Sequence, residues 1–401
     1  MKSQNCISFV TDSPEKKMRM TFPMSRNAQM ALCFLGVINF FILSLTSYLT
    51  IKSLPSVRTV SDGDLKDIQS DGTQNPTTFN PILWAKINRI SNELNVSGVA
   101  TGVARDKALI SGDAITSFVY IMHNPRLCQG VDVVDFIIIV HSAPANLERR
   151  KRIRESFAKE SLFLPFHVRV AFLLGRTTNQ TLDDLVRKEH LVNNDSVTGV
   201  FIDSYHNLTF KGVMGYRWVS EHCRNAKFVL KIDDDVIVNT FALLQSFYRH
   251  MNRKRSIFCN VWQANTMEIL RQGKWQVSDH IFRNHHTFPY SYCSGFVVIL
   301  TADLMAPLSQ AARLTPFFWI DDVYLFGMLP YVVGGVTFHH YCLDQFLSLQ
   351  EQVLMRCLNT SNIECSIFAS VVRDNSFWFL WDMILHKYNS MPWSIETELV
   401  V

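Results

Sequence analysis

The chain has no concentrated basic tract: 39 Lys and Arg stand against 35 Asp and Glu, a formal net charge of +4 spread over 401 residues. Proteins that hold nucleic acid do so first through dense positive charge, so nucleic acid is not an expected partner. No two cysteines form a Cys-x-x-Cys pair, which argues against a structural zinc site. The alternating acids, central Gly and distal Glu of an EF-hand calcium loop are missing, and no internal repeat is visible. Long uncharged apolar runs are also scarce; one segment alone has the length to cross a bilayer.

That segment is residues 30–51, "MALCFLGVINFFILSLTSYLTI", 22 residues without a formal charge that would span about 33 Å as a helix. A cleaved signal peptide has a shorter apolar core, nearer the N-terminus and ending at a small-residue site, so a signal anchor is the better match. Lys16, Lys17, Arg19 and Arg26 precede the span, against Lys52 and Arg58 after it, which puts the N-terminus in the cytosol. The expected topology is type II, with a cytosolic tail over 1–29, a transmembrane anchor over 30–51 and the remainder luminal. The five Asn-x-Ser/Thr sequons, at Asn95, Asn179, Asn194, Asn207 and Asn359, all follow the span and are candidate glycosylation sites. Seven of the nine cysteines follow it too, in a compartment where disulfides persist. Seven is odd, so at least one thiol is left over or bridges to another chain.

Residues 53–81 are polar and broken by Pro and Gly, with too little apolar periodicity to fold alone; the stem is expected over 52–130. From residue 131 to 401 the pattern is that of an α/β catalytic domain. Apolar runs of strand length at 133–142, 168–175, 199–203 and 228–232 alternate with helical patterns at 146–160, 181–192 and 207–223. Strand alternating with helix predicts a mostly parallel sheet covered on both faces, which "IFCNVWQ", "YCSGFVVIL" and "YVVGGVTFHH" further along would extend.

In such sheets ligands bind beyond the carboxyl ends of the strands. Asp233, Asp234 and Asp235 follow "FVLKI" at one such end. Three adjacent carboxylates repel one another, and a hard divalent cation would relieve that repulsion. Asp233 and Asp235, two positions apart on an extended segment, share a side and are the candidate metal ligands, with Asp234 pointing elsewhere. A solvated acidic turn is the plain alternative. "LERRKRIRESF" places Arg150 and Arg154 four residues apart, on one helix face able to grip a phosphate. Asp321 and Asp322 in "FFWIDDVYLFG" are carboxylates among apolar neighbours, where burial raises a pKa toward the range of a general base.

Six motifs in one order resemble the inverting β-1,3-galactosyltransferase family, which also includes β-1,3-N-acetylglucosaminyltransferases. "RRKRIRESF", "AFLLG", "DSYHNLTFK", "WVSEHCRNAKFVLKIDDDVIVN", "YCSGFVVIL" and "DDVYLFG" are similar to that family's successive blocks, over residues 133–340. Val200 replaces an acid found in many relatives, Asp321 replaces a Glu, and "FPYSYCSG" is one residue longer than the family's segment; these positions bear on sugar specificity.

The resemblance implies a GT-A-like, Rossmann-type mixed sheet flanked by helices, in a Golgi type II enzyme. It implies transfer of a hexose, galactose first, from a UDP-sugar in β-1,3 linkage to an oligosaccharide on glycoprotein or glycolipid. N-acetylglucosamine or N-acetylgalactosamine is the alternative sugar; a carbohydrate-binding homologue without activity, or a phosphohydrolase, is the alternative class. By the same resemblance Asp322 is the base and Asp321 orients the acceptor. Arg150, Arg154, Asp234 and Lys211 lie near the donor. Mn²⁺ or Mg²⁺ sits at Asp233 and Asp235, with His339 or His340 a candidate third ligand.

Overall fold

A computed structural model describes residues 119–247, 250, 252–360 and 365–388, together with Ile82, Ala85, Lys86, Arg89, Ile90 and Glu93 of a helical segment ahead of them. The expected anchor over 30–51, the polar part of the stem over 53–81 and the sequon at Asn95 lie outside these residues. Among the described residues no helix is long and apolar enough to cross a membrane.

Eight strands form the main sheet: β1 (Tyr120–Met122), β2 (Val134–His141), β3 (Val168–Arg176), β4 (Ser196–Ile202), β5 (Ala226–Asp233), β7 (Ser256–Trp262), β8 (Tyr292–Thr301) and β9 (Thr337–His340), in the order β1-β4-β3-β2-β5-β8-β7-β9. The four strands β4-β3-β2-β5 run parallel, as the alternation of strand and helix predicts. They are joined by α1 (Leu147–Glu155), α2 (Gln180–Asn193) and α3 (Leu208–His222). The other half departs from a mostly parallel sheet, because β8 lies antiparallel to both β5 and β7. Residues 263–291 connect β7 to β8 without a described helix, and a parallel return needs a crossover that this connection lacks.

β2 is buried along its whole length, as expected for a strand covered on both faces. Alternation sends Ile137 and Ile139 to a core shared with α3 and with α5 (Met305–Leu314), while Phe136, Ile138 and Val140 face α1, α4 (Thr240–Phe247) and the C-terminal α9 (Phe377–Tyr388). Truncating any one of these fully buried isoleucines to Ala is expected to cost about 2–5 kcal/mol.

Folded structure begins ahead of residue 131, inside the segment expected to be stem. β1 pairs with β4, Tyr120 Oη donates to Glu221 at 2.9 Å, and a disulfide joins Cys128 to Cys223. Further back, Ile90 is fully buried, and the carbonyl of Glu93 accepts from the amide of Phe282. Two more disulfides join Cys259 to Cys293 and Cys357 to Cys365. In "YVVGGVTFHH" the strand is confined to β9. Residues 331–333 instead end the helix α7 (Leu329–Val333), which Gly334 and Gly335 terminate with positive φ angles.

A second, three-stranded sheet matters for the site. β11 (Ala369–Val371) runs antiparallel to β6 (Val236–Val238), the strand that follows the three aspartates, and the amide of Val372 donates to the carbonyl of Asp235 at 2.8 Å. β10 (Leu347–Ser348) completes it, and α8 (Glu351–Asn359) follows.

Candidate active site

Leaving β2, the chain builds β3 and β4 on one side and then crosses to β5 on the other, so the strand order reverses between β2 and β5. A crevice opens at such a reversal, beyond the carboxyl ends of the strands. The neighbours there are His141, last in β2, and Asp233, last in β5.

Only Asp233 lies on extended backbone, at the end of β5; Asp234 and Asp235 form the turn into β6, so the expected alternation along a strand gives way to a turn that parts the three carboxylates. Asp233 turns to Lys231, whose Nζ donates to it at 2.7 Å. Asp234 is buried and turns the other way, accepting from Ser142 Oγ at 2.7 Å, Asn146 Nδ2 at 2.8 Å and Arg149 Nη1 at 3.0 Å. Asp235 borders an open cavity of ≈ 500 Å³ that Arg149, Glu351, Val372, Arg373 and Asp374 also line. Burial first, then the charges of Asp233 and Asp234, raise the Asp235 pKa. That repulsion is what a cation would relieve. The donor set of Asp233 and Asp235 suits Mg²⁺ or Mn²⁺, which take one or two carboxylates and leave their other positions to water and phosphate.

The second carboxylate pair opens α6 (Asp321–Val323). Asp322 Oδ2 accepts from the amide of Gly295 on β8 at 2.9 Å. A Cβ at position 295 would stand 1.8 Å from Asp322 Oδ1, so only glycine admits the carboxylate. Lys231, buried within β5, links the two acidic groups: its Nζ donates to the carbonyl of Gly295 at 2.6 Å as well as to Asp233. Burial opposes the Lys231 charge, but Asp233, Asp321 and Asp322 outweigh it and raise its pKa. Asp322 is raised by burial and next by Asp321, with Lys231 pulling the other way. Asp321 is raised by burial, against Lys231.

Several sequence expectations need correction. Arg150 has no surface to offer a phosphate: its side chain is fully buried and its nitrogens bond Glu189, Ser142 Oγ and the carbonyls of Ala143 and Pro144. Arg154 is spent on Asp195 and Glu189. The spacing of these two arginines does define a shared face, but that face packs on α2. Arg149 and Arg152 are the arginines of α1 that reach the aspartates, and both pair with Asp374. Lys211 is buried and bonds Asp203 and the carbonyl of Ser142, and the Asp234 carboxylate is likewise committed within the protein. Both frame the crevice from behind.

His339 and His340 do not converge on Asp233 and Asp235. His340 is level with Lys231 but three strands away, roughly 14 Å at the usual strand spacing. Its Nδ1 accepts from the amide of Val261, while His339 stacks on Phe258 with centroids 4.4 Å apart. Among the described residues, no three of His, Cys, Asp and Glu form a metal cage.

Of the sequons described, Asn179, Asn194 and Asn359 are exposed. Asn179 also caps α2, accepting from the amide of Leu182. Asn207 is different: its Nδ2 donates to the carbonyl of Ile202 at 2.7 Å, and the Thr209 of its sequon is fully buried.

Lys231, Gly295 and His141 went unnoticed in the sequence. A lysine within the apolar run "FVLKI" was the available signal for the first, since a lone charge is not buried without partners. His141 is only 5% exposed, and neither ring nitrogen has a hydrogen-bond partner. Burial, then the charges of Lys231 and Lys211, push its imidazole pKa well below the usual value.

Residues 148–339 match the family model described as Galactosyltransferase. Human beta-1,3-galactosyltransferase 1 is 27% identical over 245 residues, covering 59% of this chain and 74% of that protein. Lactosylceramide 1,3-N-acetyl-beta-D-glucosaminyltransferase A of Danio rerio is 29% identical over 222 residues, 52% of this chain and 57% of the relative. UDP-GalNAc:beta-1,3-N-acetylgalactosaminyltransferase 1 of Sus scrofa is 29% identical over 196 residues, 47% of this chain and 57% of the relative.

Proposed function

The chain belongs to the galactosyltransferase family, and from that premise we propose that it transfers a hexose from a UDP-sugar to a hydroxyl of a glycan acceptor, in β-1,3 linkage and with inversion at the anomeric carbon. The observation that carries this reading is the Asp322–Gly295–Lys231–Asp233 relay. It fixes a carboxylate of raised proton affinity on one side of the crevice and the acidic cluster beside it.

The chemistry is a single displacement. The acceptor oxygen bonds to the anomeric carbon while the bond from that carbon to the phosphate oxygen breaks, and UDP departs with the electron pair. Asp322, as carboxylate, takes the acceptor's proton. Asp321, one residue before it, orients the acceptor, and Lys231 limits how far the two carboxyls' proton affinities rise. Asp233 and Asp235 are the residues that would hold a divalent cation, which when bound supplies neutralising charge for a departing diphosphate. The metal set has two protein ligands in this reading, with neither His339 nor His340 in it.

Galactose is the proposed sugar. The GlcNAc and GalNAc transferases among the relatives stand at similar identity, so the donor is a matter for assay. The fold is proposed to be GT-A-like. A Golgi location is proposed from the family resemblance, and the span at 30–51 read as a type II anchor is compatible with it. The test is transfer by the full chain from UDP-galactose, UDP-N-acetylglucosamine or UDP-N-acetylgalactosamine to a panel of glycans, with Mn²⁺ and with chelator. Metal-dependent product from one donor is expected. Folded protein that neither binds nor uses any UDP-sugar would overturn the reading.

A further inference from the structure

Beside the acidic constellation, at the same carboxyl edge of the sheet, is a cluster of rings with no part in the proposed chemistry. Tyr205 and His206 follow β4, Trp319 stands just ahead of Asp321, and Lys274 and Trp275 reach in from the connection between β7 and β8. Trp275 Nε1 donates to Tyr205 Oη at 2.6 Å. Lys274 Nζ lies 4.5 Å from the Tyr205 ring centroid and 5.3 Å from that of Trp275. Tyr205 and Trp319 have centroids 6.2 Å apart, and His206 stacks on Trp319 at 4.3 Å.

Tyr205 is 42% exposed and Trp275 48%. Rings of this size are normally well covered, and a contiguous group left in solvent marks a binding surface. Tyr205 and Trp275 are also held in place by a hydrogen bond and a shared ammonium, and Trp319 is half-buried against the core, so the rings present fixed faces. The platform is tied to the proposed base. Trp319 is three residues from Asp322, at most about 10 Å of extended chain, and Thr209 Oγ1 of α3 pins the segment by donating to the carbonyl of Phe318 at 2.8 Å.

We propose that Tyr205, Trp275 and Trp319 are the acceptor platform, stacking on the pyranose rings of an oligosaccharide whose terminal hydroxyl lies at Asp322. The proposal rests on the transferase reading and names its acceptor class. A pyranose has an apolar face of C–H groups, attracted to the negative face of an aromatic ring, and a rim of hydroxyls that donate and accept. The surroundings match: His206 and Lys274 border the rings, and Gln272 and Gln276 flank Lys274 and Trp275 in the chain. A lipid chain would instead call for an aliphatic trough. A single sugar bound at Asp322 leaves the far rings unused, so the platform selects for acceptors of more than one sugar.

The test is saccharide binding by the full chain loaded with UDP, and transfer by the full chain supplied with a UDP-sugar, using short oligosaccharides ending in galactose or N-acetylglucosamine and the matching methyl monosaccharides. Trp275→Ala and Tyr205→Ala, both at exposed sites, are expected to weaken oligosaccharide binding about tenfold and to raise the acceptor KM equally. UDP affinity and the monosaccharide KM stay unchanged, and Tyr205→Phe, which keeps the ring, retains most of the binding. Oligosaccharide affinity equal in wild type and in both alanine variants would overturn the platform alone. Wild type that binds UDP-sugar but no saccharide would overturn it while leaving donor use standing, and wild type that binds neither would overturn both readings.

Discussion

The amide of Gly295 and the carboxylate of Asp322 meet at 2.9 Å in a space where a methyl group would come within 1.8 Å of the second carboxylate oxygen. Gly295→Ala therefore displaces the proposed base, at a residue whose carbonyl also accepts from Lys231. Displacements of about 1 Å at a reacting group cost about 10²-fold in rate. The expected result is a kcat lower by about that factor with unchanged UDP affinity, read by steady-state kinetics and a binding titration. Unchanged kcat would remove Asp322 from the base role.

The acid limb of the pH profile follows from the same pair. A base must be deprotonated, so a raised pKa moves the fall in rate to higher pH than the roughly 4 of an ordinary carboxylate. Asp321→Asn removes the charge that, after burial, does most to raise Asp322. The acid limb of kcat/KM should then shift to lower pH. Lys231→Met should shift it the opposite way, since Lys231 holds the Asp322 pKa down. It should also destabilise the fold by about 1–3 kcal/mol, less than the cost of breaking a fully buried pair because the Asp233 side chain is 43% exposed.

Stability carries its own signature of these carboxyls. A group whose folded pKa lies above its unfolded value binds more protons when folded, so stability falls as pH rises from the ordinary carboxylate range through the raised value. Asp322→Asn abolishes this term. Its Tm should exceed wild type at neutral pH, with the difference vanishing in acid below the ordinary carboxylate pKa, while transfer is lost; thermal melts across pH would show it.

Strands β2 to β5 and helices α1 to α3 were legible in the sequence because runs such as "VVDFIIIVHS" and "FVLKI" are buried on both faces, and burial is what apolar periodicity reports. Strand direction is not: nothing in "YCSGFVVIL" says that β8 runs antiparallel, which depends on the connection before it. The site divided along the same line. Carboxylates at strand and helix ends stood out by type and place, but the extended geometry expected for the three aspartates stops at Asp233, and a turn at Asp234 and Asp235 sets where they point. Which face of α1 meets the crevice did not, since Arg149 and Arg150 are adjacent in "LERRKR" and only packing on α2 separates them. His340 failed for want of register: a strand end looks alike from one strand away or three.

His141 allows a test that separates ligand chemistry from folding. Leaving buried polar atoms unpaired costs about 1–3 kcal/mol, and an apolar replacement of similar size recovers part of that. His141→Leu should raise the Tm of the ligand-free protein. If the ring's nitrogens serve the donor, the same change weakens UDP-sugar binding, so stability and affinity move in opposite directions. A lower Tm would mark His141 as a packing residue.

Asp235 joins the stability argument to the metal. Its pKa is raised by burial and then by Asp233 and Asp234, so as a carboxylate it is repelled by both neighbours. Asp235→Asn removes that repulsion and should leave the fold as stable as wild type or slightly more so. An amide oxygen is a far weaker ligand for a hard divalent cation than a carboxylate. UDP binding should therefore lose its Mn²⁺ dependence and fall to the level wild type shows in chelator, measured by titration with and without metal. A variant that keeps metal-enhanced UDP binding would show that the cation, if one binds, is held elsewhere. Reduced binding with a lowered Tm would instead make Asp235 structural, which its place beside the β6–β11 pairing makes the alternative to beat.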